Sequence, residues 1–290
     1  MSFTEYCARL TRRSRSNFYY AFLFLSRERR EAIFAVYAFC RSVDDIADGH
    51  ASLGEKQRQL DDWRRELDRC YEGRPGHPIT VKLAQSVQRF RIPKEYFEEL
   101  IAGVEMDLTH DRYPTFRDLY EYCYRVAGVV GLICIEIFGY RNPKAKDYAI
   151  NLGVALQLTN IMRDLRVDAE RGRIYLPQDD LARFGYTEVE LVHGVYTPAF
   201  LDLMRFAGAR ARQYFQNARE LLAVEDRGSL CAAEIMGAIY YKLLETIEAS
   251  GYRVFDRTMT LPVQQKLWLA LSIWLRSKCG ARVHRRERRE

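Results

Sequence analysis

Apolar residues recur at helical spacing along nearly the whole chain. Runs with that period cover residues 28–48, 55–72, 79–90, 94–107, 115–138, 144–168, 198–223, 228–249 and 261–276, and two-residue alternation is scarce. The breaks between them are short and rich in turn residues, as at Gly73–Pro78, Thr109–Pro114 and Gly139–Pro143. A longer break, from Arg171 to about Pro198, contains LARFGYTEVEL, which predicts one short extra helix. The pattern predicts an all-α protein, a helical bundle rather than an alternating α/β fold. Hydrophobic residues make up 48% of the 290, with only 8 prolines and 17 glycines, so one compact domain over residues 1–290 is expected.

Seven scattered cysteines without a C-x-x-C pair predict reduced thiols and an intracellular, cytoplasmic setting. The basic start and the apolar run Phe18–Leu25 lack a small-residue cleavage site, which excludes a signal peptide. The longest apolar run, Val126–Ile135, has about half of the roughly 20 residues a membrane-spanning helix needs. The net charge is +6, and residues 281–290 hold five arginines against two glutamates. A basic tail from about residue 277 is a solvated end or a contact with an anionic membrane surface. No nucleic-acid-binding motif accompanies it.

Candidate chemistry sits in two acidic clusters. In YAFCRSVDDIADG, residues 37–49, a helix places Asp44 and Asp48 one turn apart, about 6 Å along the axis, with Tyr37, Arg41 and Asp45 beside them. Like charges at that spacing repel, and a cation relieves them. The alternative is a solvated face on which Arg41 pairs with Asp45. The second cluster, Gln157, Asn160, Asp164 and Asp168, forms one polar stripe on an otherwise apolar helix. Short acids and amides suit a hard cation such as magnesium, which bridges one or two carboxylates to substrate phosphates. Two such helices facing each other would cradle a metal-bound diphosphate, with Arg41, Arg163 and Arg173 reaching its other oxygens. No G-x-G-x-x-G, G-x-x-x-x-G-K-[ST] or H-E-x-x-H is present, and the five histidines lie far apart, so nucleotide, nicotinamide and zinc sites have no support.

Three segments, YAFCRSVDDIAD, EMDLTHDRYPTFRDLYEYCYRVAGVVGLICIEIFGY and LGVALQLTNIMRDLRVDAERGRIYLP, carry a resemblance. With SNFYYAF at the start, the chain resembles the squalene/phytoene synthases, head-to-head prenyl transferases, to about residue 260. Within that family it is most similar to the presqualene diphosphate synthases of bacterial hopanoid pathways. The resemblance implies an isoprenoid-synthase-type bundle around an apolar cavity and two farnesyl diphosphates as substrate. It makes Asp44, Asp48, Asn160, Asp164 and Asp168 magnesium-facing residues, and Arg41, Gln157, Arg163 and Arg173 diphosphate contacts. Tyr37, Tyr124 and Tyr240 would line the cavity where an allylic cation forms. Ser14, Ser16 and Asn17 would belong to a substrate-binding stretch, in which relatives commonly carry serine at Asn17. A phytoene or dehydrosqualene synthase is the alternative enzyme, and a non-catalytic basic helical protein on a membrane surface is the alternative of another class. No nicotinamide cofactor is expected, and downstream pathway enzymes are candidate partners.

Overall fold

The computed structural model describes residues 17–287, with side chains described for residues 19–278. The helices, in chain order, are α1 (Asn17–Phe22), α2 (Arg27–Asp48), α3 (Leu53–Tyr71), α4 (Pro78–Phe90), α5 (Lys94–Thr109), α6 (Phe116–Cys123), α7 (Val129–Phe138), α8 (Ala145–Glu170), α9 (Gln178–Phe184), α10 (Glu188–Val192), α11 (Pro198–Leu221), α12 (Cys231–Ala249) and α13 (Val263–Glu287). Among the described residues there is no β-sheet, and the five described cysteines are free.

Local chemistry sets the boundaries. Ser52 with Glu55, Thr115 with Asp118 and Thr187 with Glu190 close reciprocal caps that satisfy the first amides of α3, α6 and α10. Pro78 and Pro198 open α4 and α11, where a missing N–H costs nothing. Three expectations are corrected. The helix expected over 115–138 is interrupted by a π turn at Tyr124–Gly128, where the Val129 amide bonds the Tyr124 carbonyl. The single extra helix expected within LARFGYTEVEL is two, because Gly185 adopts φ +65° and ends the first. The last helix does not stop at residue 276; it runs to Glu287 and takes in most of the expected basic tail.

The centre of the molecule is α8, which packs against α11, the π turn, α7, α12, α6 and α10. Its approach to the π turn depends on Gly153, where a Cβ would collide with the Ala127 carbonyl. On the other side α2 packs against α3, α4, α5 and α7, so the two acid-bearing helices belong to opposite walls. The chain leaving α8 is pinned back by an isolated parallel bridge, with the Ile174 amide donating to the Asp111 carbonyl at 2.9 Å. The Arg112 guanidinium also donates to the Gly172 carbonyl at 2.7 Å. These bonds bring Arg171, Arg173 and Tyr175 beneath the ends of α2 and α5.

Candidate active site

A cavity of about 520 Å³ runs between α2, the π turn, α7, α8 and α12, within the usual range for small-molecule sites. Its body is apolar, with Ile33, Val36, Val130 and Leu152 on its walls, and its mouth is polar, with Arg41, Asp44, Gln157, Asn160, Arg163 and Lys266. A shallower groove of about 560 Å³ lies between α3 and the loop before α4, beside Trp63 and His77, and carries none of the expected site residues.

Each acid at the mouth has a different environment. Asp48 accepts from Arg171 at 2.9 Å and from Arg173 at 3.0 Å. Asp164 accepts a two-pronged contact from Arg163, at 2.8 and 2.5 Å. Asp44 and Asp168 have no hydrogen-bond or ion-pair partner among the described residues. Burial raises the Asp44 carboxyl to about 7, with Arg41 opposing and Asp107, Asp48 and Asp45 adding to the rise. Burial likewise raises Asp168 to about 7, helped by Asp164 and Asp107 and opposed by Arg171 and Arg173. Arg41 pairs with Asp45 at 2.7 Å, the alternative expected for it, and it also lines the cavity.

One acid that sequence reasoning passed over lies between the two clusters. Asp107, near the end of α5, accepts from the Tyr175 hydroxyl at 2.7 Å and the Tyr122 hydroxyl at 3.0 Å. Its backbone carbonyl accepts from Arg173 at 3.3 Å. Burial raises its carboxyl above the ordinary range against the pull of Arg173 and the two tyrosines, and its charge bears on both Asp44 and Asp168. The signal was available: Asp107 follows the apolar face Leu100, Ile101 and Val104 on α5.

The structure brings Tyr37, Arg41, Asp44, Gln157, Asn160, Arg163 and Tyr240 to the cavity wall, and Asp48, Asp164, Asp168 and Arg173 to its rim. Tyr240 shares a hydrogen bond with Arg163. Tyr124 lies in the π turn beside the cavity, is not among the residues that line it, and has Glu99, Glu121 and Arg125 as charged neighbours. Tyr122, two residues earlier, is the buried one that reaches Asp107. The π turn inserts a residue between Tyr122 and the Val126–Gly128 stretch, so a regular helical register does not relate them. Ser14 and Ser16 lie outside the described residues. Asn17 begins α1, and its side chain lies outside them as well.

The donor set fits magnesium in a specific way. Among the described residues no three carboxylate, imidazole or thiolate side chains converge on one point, so the protein alone does not enclose an ion. What it offers is the Asn160 Oδ1, buried without a partner, and the unpaired carboxyl groups of Asp44 and Asp168. Oxygen donors that leave most of the coordination sphere open suit an ion that keeps waters and takes substrate phosphates.

An all-helical body around such a cavity is the isoprenoid-synthase type of fold, and known proteins share it. A dehydrosqualene synthase structure superposes with a TM-score of 0.85 at 29% identity, over 96% of this chain and 97% of that one. A squalene synthase of Alicyclobacillus acidocaldarius superposes with a TM-score of 0.78 at 30% identity, over 86% and 94%. In sequence, the chain is 37% identical to the 15-cis-phytoene synthase of Synechocystis over 94% of its own length and 85% of the relative's. It is 36% identical to the 15-cis-phytoene synthase of Synechococcus elongatus over 91% and 89%. Residues 11–265 match squalene/phytoene synthase. The chain belongs to the squalene/phytoene synthase family and is a head-to-head prenyltransferase.

Proposed function

We propose that the chain condenses two farnesyl diphosphates to presqualene diphosphate. The observation that carries the reading is the pair of unpaired, charge-poor carboxyl groups, Asp44 and Asp168, at the mouth of an apolar cavity. Asp44, Asp48, Asn160, Asp164 and Asp168 would hold magnesium. When bound, magnesium supplies the Lewis acidity that draws charge onto the leaving diphosphate. The chain's own residues do the rest. Arg171 and Arg173 hold Asp48 until substrate arrives and can then turn their donors to phosphate oxygens. Asp107, fixed by two tyrosyl hydroxyls, anchors Arg173 through its carbonyl. The apolar walls exclude water, which would quench an allylic cation. Tyr37 and Tyr240 line that cavity, and an aromatic ring attracts a cation.

Incubation with farnesyl diphosphate and magnesium, with and without NADPH, tests the reading. Presqualene diphosphate should form in both, because no nicotinamide motif accompanies the site. Squalene formed only with NADPH would overturn the stopping point. A second reading, a phytoene synthase acting on twenty-carbon substrates, is favoured by the phytoene synthases at 36–37% identity. It predicts preferential turnover of geranylgeranyl diphosphate.

We infer a place of work at a membrane surface, and α13 supports it. Val263, Leu267, Trp268, Leu271 and Leu275 are exposed along one side of it, and Trp268 is 66% exposed. The same helix continues through Arg276, Lys278, Arg282, Arg285 and Arg286. An apolar stripe with basic flanks suits the surface of an anionic bilayer, where prenyl substrates and products partition. No helix among the described residues is long and apolar enough to cross a membrane. Salt-sensitive sedimentation with anionic vesicles is expected. Equal binding to neutral vesicles, unchanged by Leu271→Glu, would refute this placement.

A further inference from the structure

The carbonyl groups in the last turn of a helix have no partner within it. In α2 that turn carries Asp48, and the carbonyl of the preceding residue, Ala47, is met from two sides. Lys56, on α3, donates to it at 2.8 Å, and Arg173, in the chain leaving α8, donates at 3.4 Å. The two cations differ in what else they hold. Arg173 also donates to the Asp48 carboxylate at 3.0 Å and to the Asp107 carbonyl at 3.3 Å. Lys56 is half-buried, forms no ion pair among the described residues, and has the Ala47 carbonyl as its hydrogen-bond partner. An ammonium group on the end of a helix also offsets the partial negative charge gathered there.

The helix from which Lys56 reaches is itself anchored. The reciprocal cap of Ser52 and Glu55 fixes the first turn of α3, and the Lys56 amide donates to the Ser52 carbonyl at 2.9 Å. One residue on, Gln57 donates to Glu105 of α5 at 2.7 Å, and the Arg64 guanidinium grips both Glu105 oxygens. No side chain of α3 lines the cavity, so α3 stands outside any exchange of partners at its mouth.

We propose that Lys56 is a positioning residue for Asp48: it holds the last turn of α2 in place when Arg171 and Arg173 leave the carboxylate for a diphosphate. The proposal rests on the metal and diphosphate reading given above. In the metal-free protein Arg171 and Arg173 fix Asp48. Once those donors turn to phosphate oxygens, the carboxylate must keep its place to face a cation, and the bond from Lys56 takes no part in the exchange. Helix ends open more readily than helix centres. Without Lys56 the turn would spend part of its time unwound, and each binding of magnesium would have to reform it.

The test compares the full chain as wild type, Lys56→Met, Lys56→Arg and Arg58→Met, the last removing an exposed charge from the same helix. Hydrogen exchange is read first, on the metal-free protein in EDTA. Amides in the last turn of α2 should exchange about 2- to 10-fold faster in Lys56→Met, the range that one net hydrogen bond is worth. Those of α4 and α12 should be unchanged, Lys56→Arg should lie close to the wild type, and Arg58→Met should match it. Magnesium is then titrated into turnover of farnesyl or geranylgeranyl diphosphate, whichever the wild type consumes faster. The half-saturating concentration should rise by a similar factor in Lys56→Met, while turnover at saturating magnesium falls by less. Either exchange or magnesium dependence left unchanged in Lys56→Met would overturn the proposal. So would the same changes in Arg58→Met, or exchange quickened equally in all helices, the mark of a bond that only stabilises the fold. If the wild type needs magnesium and Lys56→Met matches it, the tether alone falls. If the wild type turns over equally well in EDTA, the metal reading falls and takes the tether with it.

Discussion

Replacing Asp44 with asparagine should stabilise the metal-free protein at alkaline pH and remove most of its turnover. The carboxyl titrates near 3.8 ordinarily and near about 7 in the folded protein, chiefly through burial. Below pH 3.8 it is protonated in both states and has no effect on the balance. As pH rises, the unfolded chain releases the proton first, so folding is penalised progressively until about pH 7 and by a constant amount above it. The gap between 3.8 and about 7 corresponds to at most about 4 kcal/mol. The carboxyl still meets solvent at the cavity mouth, so about 1–2 kcal/mol is the expected gain for the asparagine variant. In a chain of this size that is a rise in Tm of about 2–6 °C. The assay is a thermal melt in EDTA at pH 8 and at pH 5, paired with turnover in magnesium. The advantage should shrink at pH 5, where the wild-type carboxyl is protonated. Equal melting at pH 8, or a larger advantage at pH 5, would refute the burial argument, and full turnover by the variant would refute the metal role.

Asp164→Asn should likewise remove most turnover with unchanged helical circular dichroism, and near-normal activity in the purified variant would sink the two-helix arrangement. Tyr122→Phe deletes a hydroxyl that donates to Asp107, so it should lower both Tm and turnover, by about 1 kcal/mol in stability, whereas Tyr124→Phe should leave turnover nearly intact. The reverse ranking would make Tyr124, and not Tyr122, the tyrosine on which turnover depends. Gly153→Ala should cost about 1–3 kcal/mol by overpacking α8 against the π turn, read as a denaturant midpoint at lower concentration with an unchanged slope.

The helical class, nearly every helix boundary to within a few residues, and both acidic stripes were legible in the sequence, because periodicity and capping act over one or two turns. The 3.6-residue spacing put Asp44 with Asp48 and Asn160 with Asp164 and Asp168. The tertiary structure decided what depends on contacts between distant segments. That Asp48 meets Arg171 and Arg173, more than a hundred residues away, required the bridge between Arg112 and Ile174. The π turn at Tyr124–Gly128 carries an extra residue that no periodic pattern encodes. Asp107 lies between Glu105 and His110 in the sequence, and Lys266 follows Gln264 and Gln265; a charge among polar neighbours does not say whether it meets solvent, a partner or a ligand. Only packing answers that, because the cost of burying a charge is set by what surrounds it in space and not by what adjoins it along the chain.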